Sequence, residues 1–446
     1  MASAAEQLAA NVNWSAFSKA EELQKRIWFT LGALVVYRLG TYIPLPGINP
    51  DSLARLMEQQ TQGILGMFNL LSGGAVERMA IFALNVMPYI SASIIMQVMT
   101  TVSPKLEKLK KEGEAGRKTI NQYTRYLTVF LAAGQAYAIS AGLQSTPGLV
   151  MIPGLAFTLT TVVILTGGVM FLMWLGEQIT SRGIGNGISL IIFAGIVAQL
   201  FQGFASTMTM AEKGSISWAS AFGLYVLVAV VITIIVYVER AQRRLLVQYP
   251  KRQMGNRMFG GDSSHLPLKL NTSGVIPPIF ASSLLVLPAT VAGVYGTNAP
   301  DWLAETVRLL THGHPLYMAL YAFLIVFFAF FYTAIVFNPT ETAENLKKYG
   351  GFIPGRRPGK QTADYIDFVL TRLTVVGAVY LVGVCLIPEF ILAQYGGNLL
   401  LLGGTSFLII VSVTMDTVAQ IHSHLLAHQY EGLIKKARFK SPRGNS

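Results

Sequence analysis

Ten long runs of apolar residues, separated by polar or charged stretches, dominate the pattern of hydrophobic and polar positions along the chain. A helix needs roughly 20 mostly apolar residues to cross the hydrocarbon core of a bilayer. The runs reach about that length and lack the alternation typical of the roughly 10-residue strands of a membrane barrel. The pattern therefore predicts an all-α polytopic membrane protein. The ten predicted spans are 24–43, 79–101, 126–143, 155–176, 187–206, 218–238, 273–294, 317–337, 373–393 and 399–421.

The composition agrees with lipid as the solvent for much of the chain. Of the 446 residues, 52% are hydrophobic and only 13% are charged, whereas soluble globular proteins carry about 25% charged residues. The start, MASAAEQLAANVNWSAF, lacks the basic region and apolar core of a cleavable secretory signal. We therefore expect the first apolar run to remain as a membrane helix.

The Lys and Arg residues are distributed very unevenly between the two sides of the predicted spans. All but five of the 34 fall on one side. The exceptions are Arg38, Arg55, Arg78, Lys213 and Arg308. Positively charged loops stay in the cytoplasm, and an even number of spans puts both termini on the same side. Both termini are therefore predicted to be cytoplasmic.

Two loops on this basic side are longer than is needed to set the orientation of the chain in the membrane. Residues 239–270 and 339–372 mix basic residues with apolar and aromatic ones, and Pro and Gly punctuate both loops. One interpretation is a solvated loop that touches anionic lipid headgroups. The other is a docking surface for a large, negatively charged partner such as a ribosome or a motor protein, steered by electrostatic complementarity.

A short apolar patch, ILGMFNLLSGG at 64–74, lies between the first two predicted spans. It is too short to cross a bilayer, and irregular backbone at membrane depth is tolerated only inside protein or along a watery cavity. One interpretation is a re-entrant helix that ends at Gly73 and Gly74 and serves as a movable stopper. The other is an amphipathic helix lying flat on the outer leaflet. In the re-entrant interpretation, Glu77 and Arg78 lie at the outer interface, and the second span starts near Met79.

The sequence offers little support for an enzyme. Cys385 is the single cysteine and is expected to pack as a small hydrophobe. No histidine falls in mid-span, and Asp416 is the one aspartate well inside a span. The glycine-rich stretch GIGNG at 183–187 lacks the lysine of a phosphate-binding loop. We therefore expect no catalysis, no metal and no cofactor.

A secondary transporter is the alternative function that this pattern leaves open. Transporters contain broken helices, and intramembrane charges usually mark their ion paths. Here charges near the membrane midplane are nearly absent, while the cytoplasmic loops are large and basic. This combination favours a passive conduit that works with docked partners.

Several stretches resemble the SecY family of bacterial protein-conducting channels, from about residue 20 to about residue 437. They include SGGAVERMAIFALNVMPYISASIIMQVMT, KKEGEAGRKTINQYTRY, MFLMWLGEQITSRGIGNGISLIIFAGIVA, GVIPPIFASS, FFYTAIVFNPTETAENLKKYGGFIPGRRPGKQT and LTRLTVVGAVYLVGVCLIPEF. The resemblance implies an hourglass pore between two pseudo-symmetric five-helix halves, 1–206 and 207–446, hinged between the fifth and sixth spans. It also implies passage of unfolded secretory polypeptides and sideways release of hydrophobic segments.

The resemblance assigns a pore ring and a plug. The ring residues are Val86, Ile90, Ile192, Ile279 and Ile409. The plug residues are Ile64, Leu65, Phe68, Asn69, Leu70, Leu71, Ser72, Gly73 and Gly74. A collar of branched apolar side chains offers no hydrogen bonds, so it dewets and resists ion leakage. Val86 departs from the family's commoner isoleucine and Asn85 from its usual glycine, so a smaller and more polar collar is expected there.

The resemblance further places a lateral gate between the second and seventh spans, with the third and eighth assisting. The gate residues are Ser91, Ser93, Gln135, Thr272, Ser273, Ser282 and Ser283. Small and polar side chains commonly hold membrane helices together through weak interhelical hydrogen bonds, which suits a seam that opens for a signal peptide. Ordinary static helix packing is the alternative explanation for the same residues.

The two long loops match the family's docking sites for the SecA motor ATPase and the ribosome, including its rRNA. The docking residues are Arg243, Arg244, Lys251, Arg252, Arg257, Arg356 and Arg357, with a basic tail at 422–446. The other implied partners are the membrane subunits SecE and SecG, signal peptides, nascent chains and anionic lipids. The implied location is the bacterial cytoplasmic (inner) membrane.

Overall fold

A computed structural model describes most of the chain. The described residues are 21–50, 52–53, 73–144, 148–214, 217–249, 252–254, 257–259, 263–295, 300–310, 314–395 and 403–440. The helices are α1 (Glu21–Gly40), α2 (Met87–Val102), α3 (Pro104–Lys111), α4 (Glu114–Gln144), α5 (Leu155–Arg182), α6 (Gly187–Glu212), α7 (Trp218–Arg240), α8 (Ile276–Tyr295), α9 (Asp301–Leu309), α10 (Pro315–Val336), α11 (Pro339–Lys348), α12 (Lys360–Tyr395) and α13 (Gly404–Lys440). The strands are β1 (Gln242–Gln248), β2 (Arg252–Met254), β3 (Arg257–Phe259) and β4 (Ser263–Lys269).

Seven helices in the described part of the chain are long and apolar enough to cross a membrane. They are α4, α5, α6, α7, α10, α12 and α13. These helices confirm a mostly helical membrane protein and seven of the predicted spans. The other three predicted spans, 24–43, 79–101 and 273–294, overlap α1, α2 and α8, which are 20, 16 and 20 residues long.

The second predicted span starts later than its apolar sequence indicates. Residues 73–86 form a succession of turns, and the helix begins at Met87 rather than near Met79. Met79 and Asn85 have φ angles of 42° and 48°, and L-residues rarely adopt this left-handed region within a helix. The prediction of a helical start near Met79 is therefore wrong, because an apolar segment does not have to be helical where protein encloses its backbone.

Glycines on neighbouring helices make room for this non-helical segment. A Cβ atom on Gly40 of α1 would collide with the ring of Phe82, and one on Gly168 of α5 would collide with the carbonyl oxygen of Ile81. Irregular backbone at membrane depth has to be enclosed by protein. The glycines permit that enclosure by letting α1 and α5 approach residues 73–86 closely.

Several helices extend into segments that were expected to be loops. α4 begins at Glu114, α12 begins at Lys360, and α13 continues to Lys440. The first turn of α4 contains Glu114, which interacts favourably with the positive end of the helix dipole. The separate helix α3 has no buried residue. Much of the basic sequence between predicted spans is therefore helical.

The loop 239–270 contains strands, which corrects the all-α prediction. β1 and β4 pair antiparallel along their full lengths, with Leu245 opposite Leu266, and β2 pairs with β3. Leu245 and Val247 of β1 are buried while the residues between and before them are exposed, as expected for a strand with one covered face. The sequence pattern missed these strands because they are short and their partner strands are not evident from local sequence.

The loops 239–270 and 339–372 are joined into one unit, which we call the loop platform. Gln248 and Phe352 donate backbone hydrogen bonds to each other's carbonyl oxygens, both at 2.9 Å. A small apolar core lies beneath them. Its buried members are Leu245, Val247, Leu268, Ile353 and Ile366. The two loops therefore present their basic side chains from one packed scaffold.

Candidate functional site

Four isoleucines from four different helices meet at a narrow cavity. They are Ile90 of α2, Ile192 of α6, Ile279 of α8 and Ile409 of α13, and the other lining residues are Met87, Ser282 and Thr405. The space open to the centre of a water molecule is about 10 Å³, close to the least that holds one water. We call these four isoleucines the constriction, because they leave room for about one water molecule.

The fifth predicted ring residue, Val86, lies beside the constriction without lining its cavity. Val86 is fully buried in the same hydrophobic cluster, and its neighbour Met87 lines the cavity instead. Asn85 holds a left-handed conformation immediately before α2, which asparagine tolerates better than most residues. This conformation explains why asparagine can stand where the resemblance expects glycine.

The constriction offers a passing molecule almost no directional chemistry. Isoleucine side chains have no hydrogen-bonding groups, and the Ser282 hydroxyl at the cavity donates to the carbonyl oxygen of Ile279 at 2.9 Å. An apolar constriction of this kind excludes ions by dewetting. Its contacts are dispersion contacts, individually about 0.1–0.2 kcal/mol per atom pair, so the side chains can part and close again.

We call the contacts of α8 with α2 and α4 the seam. α8 contacts both α2 and α4 on one side and packs against α10 on the other. These are the four helices that the resemblance assigns to a lateral gate. The seam and the constriction therefore share α2 and α8, which each contribute an isoleucine to the constriction.

Several predicted gate hydroxyls form hydrogen bonds along their own helices rather than across the seam. Ser282 and Ser283 donate to the carbonyl oxygen of Ile279 at 2.9 and 2.8 Å, and Ser93 accepts from Gln97 of the same helix at 3.3 Å. Serine in a helix commonly bonds back to the preceding turn. The structure therefore does not bring these hydroxyls together with partners across the seam.

The other predicted gate residues occupy three different settings. Ser91 lies on α2 and is half-buried. Thr272 and Ser273 precede α8, where Thr272 donates to the Lys269 carbonyl and Ser273 donates to the Asn271 side chain. On α4, Gln135 is buried.

The side-chain oxygen of Gln135 is buried and has no hydrogen-bond partner among the described residues. An unpaired buried polar atom destabilises the state that contains it. The helix that carries this oxygen, α4, contacts both α2 and α8.

The described end of the predicted plug, Gly73 and Gly74, is held between α1 and α6. Their φ angles are +67° and +85°, which suit glycine. Arg38 of α1 donates from Nη1 to the Gly73 carbonyl oxygen at 2.9 Å. A Cβ atom on Gly73 would lie 2.9 Å from Cα of Gly195 on α6. We call this contact region the plug hinge; the other predicted plug residues, Ile64–Ser72, lie outside the described residues.

Two arginines meet one tyrosine at the plug hinge. The guanidinium carbons of Arg38 and Arg78 lie 5.4 and 4.2 Å from the ring centre of Tyr42, and Arg38 also donates to the Tyr42 hydroxyl at 3.3 Å. Cation–π contacts of this kind stabilise by about 0.5–1 kcal/mol at exposed sites. The pair of arginines therefore fixes the backbone that leads into α2.

Sequence reasoning missed Arg38, Tyr42 and Gly195 as parts of this site. Arg38 was counted only as a charge near the end of the first span. An ionisable residue within an apolar helix is costly and usually has a functional partner, so that signal was present. No sequence signal indicated that its partner is a backbone carbonyl 35 residues away.

Four of the predicted docking residues are exposed on the loop platform. Arg243 and Arg244 are exposed on β1, and Arg356 and Arg357 are exposed before α12. Arg356 lies over the ring of Tyr365 at 5.1 Å. Arg252 and Arg257 lie on β2 and β3, and Lys251 falls outside the described residues.

The sequence matches the family model described as SecY over residues 80–418. It is 53% identical to the protein translocase subunit SecY of Rickettsia conorii over 435 residues, which cover 95% of this chain and 99% of that protein. It is 54% identical to the protein translocase subunit SecY of Escherichia coli K12 over 423 residues, covering 94% and 95% of the two chains.

The fold is similar to that of solved channel structures. A protein-conducting channel matches with a TM-score of 0.66 and 18% identity, covering 90% of this chain and 92% of that one. Sec61 in the canine ribosome-channel complex from the endoplasmic reticulum matches with a TM-score of 0.63 and 17% identity over the same shares.

Proposed function

The chain belongs to the SecY family, and on this premise we propose that it forms the polypeptide-conducting pore of a membrane protein translocase. The observation that carries the proposal is the convergence of four isoleucines from α2, α6, α8 and α13 on one cavity of about 10 Å³. Bundle cores also join apolar side chains from several helices, and it is the family match over residues 80–418 that supports a pore at this point. With Val86 beside them, the four isoleucines form the proposed pore ring.

The proposed architecture has ten spans in two halves, 1–206 and 207–446. Seven apolar helices, together with the helices α1, α2 and α8 at the other predicted positions, support this count. The uneven distribution of Lys and Arg supports cytoplasmic termini. The chain would then reside in the cytoplasmic (inner) membrane of a bacterium with its basic loops inside the cell.

Hydrophobic segments would leave sideways through the seam between α2 and α4 on one side and α8 and α10 on the other. The predicted gate hydroxyls near Ile279 bond within their own helix, so separation of α8 from α2 breaks none of these bonds. The unpaired Gln135 oxygen adds a reason for the closed seam to be only marginally stable. A signal peptide that enters here would lie beside the constriction.

Residues 64–74 would serve as the plug over the constriction. The left-handed glycines and the Arg38 hydrogen bond at the plug hinge support an anchored end about which the rest could move. Removal of 64–72 would then increase ion conductance or loosen signal-sequence selectivity. If both stayed unchanged, the alternative of a flat helix on the outer leaflet would be preferred.

The loop platform would bind the partners that drive translocation. Its exposed arginines on a packed scaffold are suited to the SecA motor or to ribosomal RNA, because arginine binds phosphate and carboxylate groups well. Two similar folds, canine Sec61 and yeast Ssh1, were solved as ribosome complexes. SecE and SecG would pack against the helices, and anionic lipids would surround the basic loops.

Reconstitution tests the proposed function directly. The chain, co-purified with two small membrane subunits and placed in vesicles, is expected to import a signal-peptide-bearing protein when motor protein and ATP are added. Protection of the imported protein from added protease is the readout. Uptake of a small solute by the chain alone, without any response to signal-peptide-bearing protein, would instead favour a transporter.

A further inference from the structure

The glycine-rich turn GIGNG at 183–187 joins α5 to α6 and belongs to neither the constriction, the seam nor the plug hinge. Gly183, Ile184 and Gly185 are buried, and Gly185 has a φ of +87°. Such turns often direct backbone N–H groups at a bound anion. The turn could therefore bind an anion only if its backbone N–H groups have no acceptors within the protein.

The N–H groups of this turn are directed at protein side chains. Ile184 donates to Oγ1 of Thr30 at 3.1 Å, and Gly185 donates to Oε1 of Gln420 at 2.8 Å. Gly187 donates to Oγ1 of Thr180 at 2.9 Å. With these three groups occupied, the turn is not available as an anion cradle.

The acceptors belong to different parts of the chain. Thr30 lies on α1, in the same proposed half as the turn, whereas Gln420 lies on α13, in the other half. An apolar cluster surrounds the same point. Its buried members are Leu23 of α1, Ile184 of the turn and Leu425 of α13, with Ile27 and Ile421 packed against them.

This joint lies at the opposite end of α6 from the chain connection between the halves. α6 begins at Gly187, two residues after the bond to Gln420, and ends at Glu212, from which the chain continues to α7 at Trp218. α6 is thus tied to the second half at both ends, by hydrogen bonding and apolar packing at one end and covalently at the other. Two fixed points define an axis of rotation.

We propose that the joint between Gly185 and Gln420 is a second pivot of the channel, so that the halves swing about α6 when the seam opens. The inference rests on the proposed function, since it assumes two halves that move. Parting of the joint would leave the buried Gly185 N–H without its acceptor, a change that shifts an equilibrium roughly tenfold or more. The serine hydroxyls near Ile279 impose no such cost on the seam, because they bond within their own helix. Gln420 is therefore a positioning residue for gating.

Distance measurements between spin labels test this proposal in the intact complex. One pair spans the joint, at Lys25 of α1 and Ser423 of α13, and the other spans the seam, at Val102 of α2 and Lys269 of β4. All four positions are exposed, and Cys385→Ala removes the native cysteine. Distances are compared between the idle complex and one arrested with a signal-peptide-bearing chain.

On engagement, the seam distance is expected to increase by up to about 10 Å, the diameter of an inserted helix. The joint distance is expected to change by less than about 2 Å, the scale of a shift at a packed interface. A joint distance that increases as much as the seam distance would overturn the pivot but not the channel. A seam distance that does not change would instead contradict the proposed gate.

Three variants separate a positioning role from a structural one. Gln420→Leu removes the acceptor and is expected to broaden the joint distance distribution, whereas Gln420→Glu keeps an acceptor and is expected to retain the wild-type width. Thr30→Val removes the acceptor of Ile184 within one half and serves as the matched control. Broadening in Thr30→Val equal to that in Gln420→Leu, or no broadening in Gln420→Leu, would refute the role of Gln420.

A cross-linking experiment keeps the test decisive if Gln420→Leu does not fold. A short bifunctional reagent is used to join cysteines at Lys25 and Ser423, or cysteines at Val102 and Lys269. A pivot tolerates such a link, so the joint link is expected to leave translocation within about twofold of the unlinked complex, while the seam link abolishes it. Loss of translocation with the joint link would show that the joint has to separate.

Discussion

Replacement of Arg38 by methionine is expected to release the plug hinge. The guanidinium of Arg38 donates to the Gly73 carbonyl oxygen at 2.9 Å and to the Tyr42 hydroxyl at 3.3 Å. Methionine keeps a long, flexible side chain but provides neither the charge nor the donors. The other cation over Tyr42, Arg78 at 4.2 Å, stays in place.

The expected magnitude follows from the contacts that are lost. A hydrogen bond from a charged donor stabilises by about 1.5–3 kcal/mol net, and a partly exposed cation–π contact adds about 0.5–1 kcal/mol. A loss of about 2–4 kcal/mol corresponds to a roughly thirty- to seven-hundredfold increase in the ratio of released to anchored plug hinge. The idle channel should therefore leak measurably.

Ion conductance of the idle complex in planar bilayers measures this change. Arg26→Met on the same helix is the matched control, because Arg26 pairs at 3.0 Å with the exposed Glu22 and such surface pairs contribute little. Import of a substrate with a defective signal peptide is the second readout. Both are expected to increase for Arg38→Met and to stay at the wild-type level for Arg26→Met.

An Arg38→Met variant that folds, assembles and shows the conductance of the control would refute a role of Arg38 in anchoring the plug hinge. An increase in both variants would also contradict it, since a general loosening of α1 would then explain the leak.

Three further predictions concern single substitutions. Gly73→Ala is expected to raise idle conductance as Arg38→Met does, because a Cβ at position 73 would lie 2.7 Å from Nη1 of Arg38 and a left-handed φ costs alanine about 1–2 kcal/mol. Unchanged conductance would contradict this expectation. Gln135→Leu removes an unpaired buried oxygen and should therefore stabilise the closed seam, so that signal-peptide-dependent opening, measured by the onset of import, slows roughly tenfold. Faster import would contradict the proposal that this oxygen destabilises the closed seam. Glu177→Gln removes the ion pair with Arg125 at 2.7 Å, in which both side chains are more than a third exposed. The free energy of unfolding should therefore fall by at most about 1 kcal/mol, and a decrease in Tm that corresponds to a much larger loss would show that the pair is shielded from solvent.

The spanning helices were predictable because a helix that crosses the lipid core needs about 20 mostly apolar residues in succession. A segment of continuous apolar residues such as 218–238 has one stable solution in a bilayer, a helix that satisfies its own backbone, and α7 follows it closely. The same rule misplaced the start of α2, since residues 79–86 are apolar except for Asn85 and yet are not helical. Their backbone is enclosed by α1 and α5 through glycines that are distant in sequence.

The constriction was not predictable from pattern alone. An isoleucine in an apolar helix looks the same whether it faces lipid or a pore, and Ile409 was singled out only through the family resemblance. The strands of the loop platform were missed for a related reason. β1 gains its partner and its covered face from β4 and from residues near Ile353, contacts that no local pattern reveals.

Cross-linking of an arrested polypeptide tests most directly whether the constriction passes an unfolded chain. A substrate stalled in the channel carries one thiol-reactive residue, and the channel, with Cys385→Ala, carries one cysteine. The constriction positions are Ile90, Ile192, Ile279 and Ile409, and the exposed control positions on the same helices are Ile95, Phe201, Leu284 and Val418. One position of the substrate is expected to reach all four constriction cysteines and none of the controls. Equal reaction with the controls, or constriction cysteines reached only from widely separated substrate positions, would contradict it.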